Sequence, residues 1–508
     1  MTQQAASSKT KFIFIGVIAV LVIAALFFFL KSGSGISEKE VIERYKQELT
    51  LLEPFMTITP KNISADTSNY AVTMTDVTFR FKDVPEITLV VDKIVQSGVD
   101  EASYLGNYGE VTTIAKQSFT GLNIIMQGQN VGTLEEYTEE NIRLNYRALR
   151  DGLQAAKNEN AAPEELMMQM FAGMKDYYVG RAFAKNFSMN VMFVSGSIAS
   201  MEALDMSMTS YGPCSINKME VSAMGQKVFA VDRISVDSTT FPAIFREMMS
   251  DPENFMHNNP QFMHKAETDP LSILAPMAVK GFVMENLMVN PGGAPLNLAK
   301  ISGDFNIEEN GLAFTSGMDN LALSRAFLAQ TPDLAIIADL VQDQLNLDAK
   351  FDFSMKHPAE LVDINLDTAL RDKTLGGFAM DIAMDMPKSE LYGGYSDREQ
   401  QRVKSFGFTV ENNGIVDFLV ACYAAAEMYD FEEAYEELLD ELYIMEEEAE
   451  NKMQLEAAQA MIKMVEDGGT LNITFKPATP MSLADMDEVD ENDLEAVGFK
   501  VSYTPPAR

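Results

Sequence analysis

Residues 345–354 read LNLDAKFDFS and residues 362–369 read VDINLDTA, two short stretches in which apolar and polar side chains alternate. Alternation with a period of two places all the apolar side chains of a β-strand on one face of its sheet. The other face of each stretch is polar and acidic, which is typical of antiparallel strands that cover a core and face water on the opposite side. The two stretches therefore predict an antiparallel, half-buried sheet.

The same alternation extends over most of the chain. It predicts strands from Met56 to about Ile125 and from Ser188 to Asp237, separated by turn residues. Further strands are predicted at 280–289, 297–307, 378–386, 471–475 and 499–503, the last of which would close the sheet. Three stretches carry a basic residue near their centre and are interpreted as repeated strand units: VVDKIVQSGV (90–99), TIAKQSFTGL (113–122) and AVDRISVDST (230–239).

Helical spacing of apolar residues interrupts the strands. Ser37 and Glu40 have the spacing of a capping box and predict a short helix after them. Further helices are predicted over 134–184, over about 323–341, and from about 415 to 465, where Gly468-Gly469 ends the last one. In the first of these, Ile142, Tyr146, Leu149 and Leu153 would share one face. The predicted fold class is α+β, an extended, twisted, mostly antiparallel sheet with helices packed on one face, preceded by one transmembrane helix.

The N-terminal part predicts where the protein works. Phe12 to Leu30 is an uncharged apolar run of nineteen residues, and at about 1.5 Å per residue it spans the hydrocarbon core of a bilayer. Lys9 and Lys11 precede it, so the N-terminus is expected in the cytoplasm and the rest of the chain across the membrane. A cleaved signal peptide is the alternative, but its apolar region is usually shorter and ends in a small-residue site, so a retained anchor is favoured.

These patterns predict an ordered series of segments. The series is a cytoplasmic tail (1–11), a transmembrane anchor (12–30), a linker and stalk helix (31–55), a β-rich region (56–240) with a helical insertion near 134–184, an irregular Pro-rich connector (241–279), and a β-rich region (280–508) with a long acidic helix near 415–465. One elongated domain and two fused domains both satisfy this pattern.

Composition restricts the partners. The chain has 39 basic and 75 acidic residues, a formal charge of −36, which argues against nucleic acid and against broad docking on anionic lipid headgroups. Cys214 and Cys422 can form one disulfide or remain two buried free thiols, and free thiols are favoured. The 34 methionines are either core filler or the lining of a site for a lipid or another apolar ligand.

No motif predicts catalysis, a cofactor or a metal. The chain has no phosphate-binding glycine loop and no G-x-S-x-G elbow. His257 and His264 lie seven residues apart with no further ligand nearby, and His357 is distant, so these are interpreted as loop histidines. The acidic run from Asp485 fails the calcium-loop pattern, because its sixth residue is Asp490 rather than Gly and its twelfth is Ala496 rather than Glu.

The strongest charge feature is the predicted helix after Glu427. Twelve acids and no Lys or Arg lie between Glu427 and Glu450. The face they form is either simply solvated, on a helix that covers the sheet, or a seam for a partner. If a partner docks there, the expected contact residues are Glu432, Glu433, Glu436 and Glu437.

The layout also resembles known families. Strand textures such as ISGDFNIEENGLAFTSG (301–317) and LNLDAKFDFSM (345–355) are similar to those of the YdgA-like group of uncharacterised bacterial membrane-anchored periplasmic proteins. The closing LNITFKPATPMSLADM (471–486), followed by VGFKVSY (497–503), is similar to the ends of uncharacterised proteobacterial proteins. More distantly, the chain resembles AsmA-type proteins, whose long β-sheet grooves are associated with lipid transport. The resemblance implies a bacterial inner-membrane anchor and a periplasmic body. It carries over no functional residue, and the acidic helix departs from both groups.

The expected function is that of a non-enzymatic, inner-membrane-anchored periplasmic protein that binds or passes lipid or another apolar ligand. The Met-rich apolar stretches 166–174 and 284–288, beside half-buried strands, motivate this expectation. The alternative is a structural or interaction protein that uses its acidic helix to dock a partner. An enzyme is the third hypothesis, and it would need titratable groups brought together in a cleft.

Overall fold

The computed structural model describes residues 37–506 except 54, 83, 105–108, 160–176, 243, 245–254, 256–261, 263, 265–269, 332–333, 357–360, 392–397 and 491–492. The predicted anchor, Phe12 to Leu30, and most of the predicted Pro-rich connector lie outside the described residues. Among the residues that are described, no helix is long and apolar enough to cross a membrane. The chain divides into two compact units, of which the first is drawn from 1–216 and 243–258 and the second from 217–242 and 259–508.

Unit 1 is built on an antiparallel meander in which each long strand pairs with the next. The strands are β1 (Met56–Asp66), β2 (Ala71–Phe81), β3 (Ile87–Val99), β4 (Thr112–Met126), β5 (Gln129–Leu144), β6 (Tyr178–Val191) and β7 (Val194–Ser207). The short strand β8 (Ser210–Tyr211) follows, and β9 (Cys214–Ala223) includes the boundary between the units. The strands predicted between Met56 and Ile125 are confirmed.

Helices cover one face of this sheet. Helix α1 (Glu38–Leu49) begins at the predicted capping box, in which the Ser37 N–H donates to the Glu40 carboxylate at 2.9 Å. A 3₁₀ turn (Thr50–Leu52), α2 (Glu101–Tyr104) and α3 (Tyr146–Glu159) follow in the same unit. The prediction of a stalk is wrong, because Val41 and Tyr45 of α1 are buried in the unit 1 core. The apolar side of the helix matches the apolar side of the sheet, and the two pack together.

The predicted helical insertion over 134–184 is also largely wrong. Residues up to Leu144 continue β5, only Tyr146–Glu159 are helical, β6 begins at Tyr178, and 160–176 lie outside the described residues. Tyr146, Leu149 and Leu153 do lie on α3, but the prediction extended their helical spacing back to Ile142, which lies on β5. Strand β5 is also kinked. Leu134 and Tyr137 both pack against the core although they are three residues apart, because the pairing of β5 is interrupted at Glu135 and the side-chain phase changes there.

The same interruption recurs from strand to strand in unit 1. Asp76 (φ 50°), Gly121 (φ 67°) and Asn186 (φ 51°) have left-handed backbones in β2, β4 and β6, and the register resumes unshifted beyond each. Gly, Asn and Asp tolerate this conformation best. Asp92 lies opposite Gly121, where a Cβ atom on residue 121 would overlap the Asp92 carboxylate. These residues form one line of kinks across the sheet.

Unit 2 contains a second antiparallel meander. Its strands are β10 (Gln226–Val236), β11 (Ser238–Thr240), β12 (Met277–Val289), β13 (Leu296–Glu308), β14 (Gly311–Ser324), β15 (Gln344–Lys356), β16 (Leu361–Asp372), β17 (Gly376–Pro387), β18 (Arg402–Asn412), β19 (Gly469–Phe475), β20 (Met481–Ser482) and β21 (Phe499–Thr504). Strand β10 pairs with β12, each strand from β12 to β19 pairs with the next, and β19 pairs with β21. The short strands β11 and β20 pair with β12 and β18, respectively. The strands predicted after residue 280 are confirmed.

Aspartates stabilise two bulges in this sheet. The register shifts in β12 before Phe282 and in β14 before Leu321, so that two residues oppose one. At each bulge the N–H of a residue with positive φ donates to the aspartate opposite, Gly281 to Asp304 at 2.5 Å and Asn320 to Asp348 at 2.6 Å. The acidic residues of these strands are therefore in part structural.

The helices of unit 2 are α4 (Pro270–Leu274), α5 (Arg325–Gln330), α6 (Ala335–Leu340), α7 (Lys388–Leu391), α8 (Ile415–Glu427), α9 (Phe431–Glu447), α10 (Lys452–Asp467) and α11 (Leu483–Asp487). The helix predicted over 323–341 is two short helices that follow the end of β14. The long helix predicted over 415–465 is three helices. Met428 ends α8 with a left-handed backbone, and the side chains of Asp430 and Asn451 cap the N-termini of α9 and α10. Gly468-Gly469 ends α10 as predicted.

The coarse prediction of an α+β fold is confirmed, since a large antiparallel sheet with helices makes up the described part of the chain.

The kink at Gly121 generates a stability prediction. Gly121→Ala is expected to destabilise the chain by about 1–3 kcal/mol, because alanine is strained at positive φ and its Cβ would displace Asp92. Gly109→Ala is the matched control, since its Cβ would meet no atom closer than 3.7 Å, and it should change stability by less than about 0.5 kcal/mol. Urea unfolding followed by circular dichroism measures both. Equal losses of stability in the two variants would show that the backbone at Gly121 is not strained by a side chain.

Candidate functional site

The central strands of unit 2 place uncharged side chains in rows across the sheet. The register aligns three such rows over β12 to β17 on one side. They are Met284, Ile301, Met318, Ala349, Leu370 and Phe378; Phe282, Gly303, Ser316, Phe351, Thr368 and Met380; and Val279, Phe305, Phe314, Phe353, Leu366 and Ile382. We call these three rows the apolar face. With strands about 4.8 Å apart and alternate residues about 6.8 Å apart, the face measures about 24 Å by 14 Å between Cα atoms.

The apolar face is only partly covered. Central inward side chains of unit 1, such as Phe79 (1% exposed) and Ile94 (0%), are buried. On the apolar face of unit 2, by contrast, Phe314 is 37% exposed, Phe351 41% and Leu370 46%. A folded protein rarely leaves large neighbouring apolar side chains exposed without a binding role.

Helices pack at the margins of the apolar face. Helices α5 and α6 pack over Leu323, Leu345 and Leu347, beyond one end of the rows. Helices α8 to α10 pack over β18 and β19 and reach Phe378 at the last strand of the rows. Neither helical cluster includes Phe314, Phe351 or Leu366. The middle of the apolar face is therefore outside the cores that the described helices form.

The opposite side of the same strands is polar. Lys350 contacts Asp367 at 2.6 Å and Asp352 at 2.8 Å on this side, and hydrogen bonds to these two aspartates raise the pKa of the lysine. Such exposed pairs contribute little stability but keep this side hydrated. The two sides of the sheet thus differ sharply, and the apolar face alone can accept an apolar molecule.

Unit 1 has a groove of its own. It lies between α1 and the edge strand β1, has a volume of about 410 Å³, and is lined by both apolar residues and lysines. Ile42, Leu49, Ile58 and Ile63 supply the apolar part. Pockets of this volume can hold a small ligand.

A buried polar row in unit 1 is a further candidate. Gln96, Gln117 and Glu139 are cross-strand neighbours on β3, β4 and β5, and each is at most 3% exposed. Glu139 accepts hydrogen bonds from the hydroxyls of Tyr137 (2.5 Å) and Tyr177 (3.3 Å). Within the described part of the chain, neither amide atom of Gln117 has a hydrogen-bond partner. An unpaired buried polar group costs about 1–3 kcal/mol, so this row lowers the stability of the unit 1 core.

Burial sets the protonation of this row. It raises the pKa of Glu139 above its ordinary value, although the two tyrosine hydroxyls oppose the shift. It also raises the pKa of both tyrosines, which therefore keep their protons and act as donors. Burial in this row consequently favours the protonated form of the Glu139 carboxyl group.

The structure places the residues predicted from the sequence in different settings. Glu432, Glu433, Glu436 and Glu437 are all exposed on α9, as a partner face requires. Met284 to Met288 lies on strand β12, and Met284 belongs to the apolar face, whereas 166–174 lies outside the described residues. Neither the apolar face nor the buried row was predicted from the sequence. The row could have been found from Gln96, a polar residue two positions after Ile94, where the alternation expects an apolar side chain.

Among the residues that the structure describes, cysteine and histidine form no site. Cys214 and Cys422 are free thiols, as favoured, but each is half-buried rather than buried. Burial raises the pKa of the Cys422 thiol, which makes it less reactive. His264 is exposed, and His257 and His357 lie outside the described residues. Among the described residues, no three His, Cys, Asp or Glu side chains are grouped to hold a metal ion.

A comparison with protein families matches part of unit 2. A family model described only as an uncharacterised protein matches residues 343–503. The matched region contains strands β15 to β19, with half of the apolar face, and helices α8 to α10. No curated protein matches the chain.

The buried carboxyl group generates a pH prediction. Because the pKa of Glu139 is raised in the folded state, its contribution to stability is full below the unfolded pKa of about 4.3 and is lost as the pH rises through the folded value. Glu139→Gln is neutral at every pH. We therefore expect it to match the wild type at pH 4 and to exceed the wild type in free energy of unfolding at pH 8.

The control for this prediction is Glu110→Gln, at an exposed loop position. Chemical denaturation at several pH values measures both variants. A stability difference that is the same at pH 4 and pH 8 for Glu139→Gln would show that this carboxyl group is not the source of the pH dependence.

Proposed function

We propose that this chain is a membrane-anchored, extracytoplasmic binding protein that holds the acyl chains of a lipid against the apolar face of unit 2. The supporting observation is the partial exposure of Phe314, Phe351 and Leu370 within three uncharged rows. Covering such a surface is favourable by about 25 cal/mol per Å² of apolar area removed from water. The face offers methyl, methylene and ring surfaces, which suit binding rather than acid–base chemistry.

The choice of a lipid rests on the composition of the chain and of the face. The predicted anchor, Phe12 to Leu30, would tether the chain to a bilayer, which is the only abundant source of extended apolar molecules. The face carries no charge, and the overall charge of −36 disfavours a surface that recognises anionic headgroups. Recognition is therefore through the chains, and the headgroup would remain in water at the edge of the sheet. In a bacterium, such an anchor would hold the binding face in the periplasm.

The period of two along each strand gives a sharp test. Benzoylphenylalanine is introduced into the full chain in cells at Phe314, Phe351 or Leu366, and in parallel at the adjacent positions Thr315, Asp352 or Asp367 on the polar side. After irradiation, the intact mass of the purified chain is measured. We expect mass increments of one lipid at the first three positions and none at their neighbours, because adjacent side chains point to opposite sides of the sheet.

Two results would contradict the proposal. Equal lipid adducts at adjacent positions would show general proximity to the membrane rather than binding on one side. Protein adducts at Phe314 and Phe351, from a second copy or another chain, would show that the apolar face is a protein interface.

A further inference from the structure

A second exposed surface lies on the helices of unit 2. On α8, Leu419 (46% exposed) and Tyr423 (50%) are one turn apart, and Tyr429 (48%) follows in the connection to α9. The rings of Tyr423 and Tyr429 meet edge to face with their centroids 6.2 Å apart. These side chains therefore form one apolar and aromatic surface instead of scattered exposures.

The helix packing explains why this surface points outward. Val420 and Ala424 of α8 and Ala434 of α9 are buried against each other, with Leu438 beside them. The buried side of α8 is thus already used by α9. Leu419 and Tyr423 lie outside that contact, and no described residue buries them.

Unpaired carboxylates surround the aromatic surface. Twelve acids lie between Glu427 and Glu450, and within the described part of the chain none of them forms an ion pair with Lys or Arg. Glu427, Glu437 and Glu441 are close enough to Tyr423 for their charges to add to the burial that raises its pKa. Like charges packed this densely repel one another, so a cation placed among them would be bound favourably.

We propose that Leu419, Tyr423, Glu427, Tyr429, Glu437 and Glu441 form a docking surface for an arginine-bearing segment of a partner protein. Arginine fits both halves of the surface, since its planar group stacks on tyrosine rings and pairs with carboxylates in a fixed geometry. A leucine or similar side chain beside the arginine would cover Leu419. Anionic lipid and nucleic acid are disfavoured here by the carboxylates.

This surface is separate in kind from the proposed lipid site. It is built on α8 and α9, whereas the apolar face is built on β12 to β17. The docking proposal does not depend on lipid binding, and either proposal can fail alone. It also divides the four glutamates expected from the sequence, because the charge of Glu437 acts on Tyr423, whereas the helical spacing of α9 turns Glu432 and Glu436 to another flank.

The test measures the affinity of a defined peptide for the full chain, which is held in zwitterionic nanodiscs. The probe is a fluorescein-labelled helical peptide with arginine and leucine on one face, and binding is followed by fluorescence anisotropy. We expect Glu437→Lys with Glu441→Lys to weaken binding at least tenfold. The control pair, Glu432→Lys with Glu436→Lys, makes the same change in charge and should weaken binding less than threefold.

Two further measurements separate docking from general charge attraction. Tyr423→Ala keeps every charge and should weaken binding at least threefold, because the stacking surface is lost. The same peptide with lysine in place of arginine should bind more weakly than the arginine peptide. Equal losses in the two double variants, no effect of Tyr423→Ala, or no binding to the wild-type chain would each overturn the proposal.

Discussion

Cross-strand register is the constraint on which both units depend. In an antiparallel meander each residue faces the same side as its partner on the next strand, so one choice of phase is passed from strand to strand. In unit 2, cross-strand pairing continues without a break from Phe282 through Phe351 to Met380, so these residues lie on one side of the sheet. Where the phase must change, both units use a residue with positive φ or a bulge, as at Gly121 and Asn320. The kinks thus preserve the division of each sheet into two sides.

The two units differ in what covers the apolar side. In unit 1, α1, the 3₁₀ turn and α3 supply side chains that bury Phe79 and Ile94 completely. In unit 2 the helices lie at the margins, over Leu345 and over Val410, and the middle of the face stays partly exposed. A sheet gains most of its stability from such burial. A molecule that covers the exposed stretch would therefore gain binding free energy from burying the same apolar surface. This difference in cover is the basis of the proposed lipid site.

The sequence predicted most strands, because alternation is a local property. LNLDAKFDFS (345–354) and VDINLDTA (362–369) lie in β15 and β16 as expected. The helix predicted over 134–184 was too long, because the helical spacing of Tyr146, Leu149 and Leu153 was extended into the flanking strands β5 and β6. The helix predicted from 415 to 465 missed two breaks, at Met428 and Asn451. The exposure of Glu432, Glu433, Glu436 and Glu437 was foreseeable from charge alone. The exposure of Phe351 was not, since it depends on where distant helices pack. The burial of Gln117 could not be predicted either, because the residues that bury it lie far along the chain.

The described residues leave the apolar face of unit 2 partly exposed, and we propose that lipid occupies it. A cryo-electron microscopy map of the full chain, extracted with its native membrane into nanodiscs, would show what covers this face. We predict elongated density that belongs to no protein atom and contacts Phe314, Phe351 and Leu366. Protein density over these residues, from this chain or from a second copy, would contradict the account, and so would a well-resolved face in contact with solvent alone.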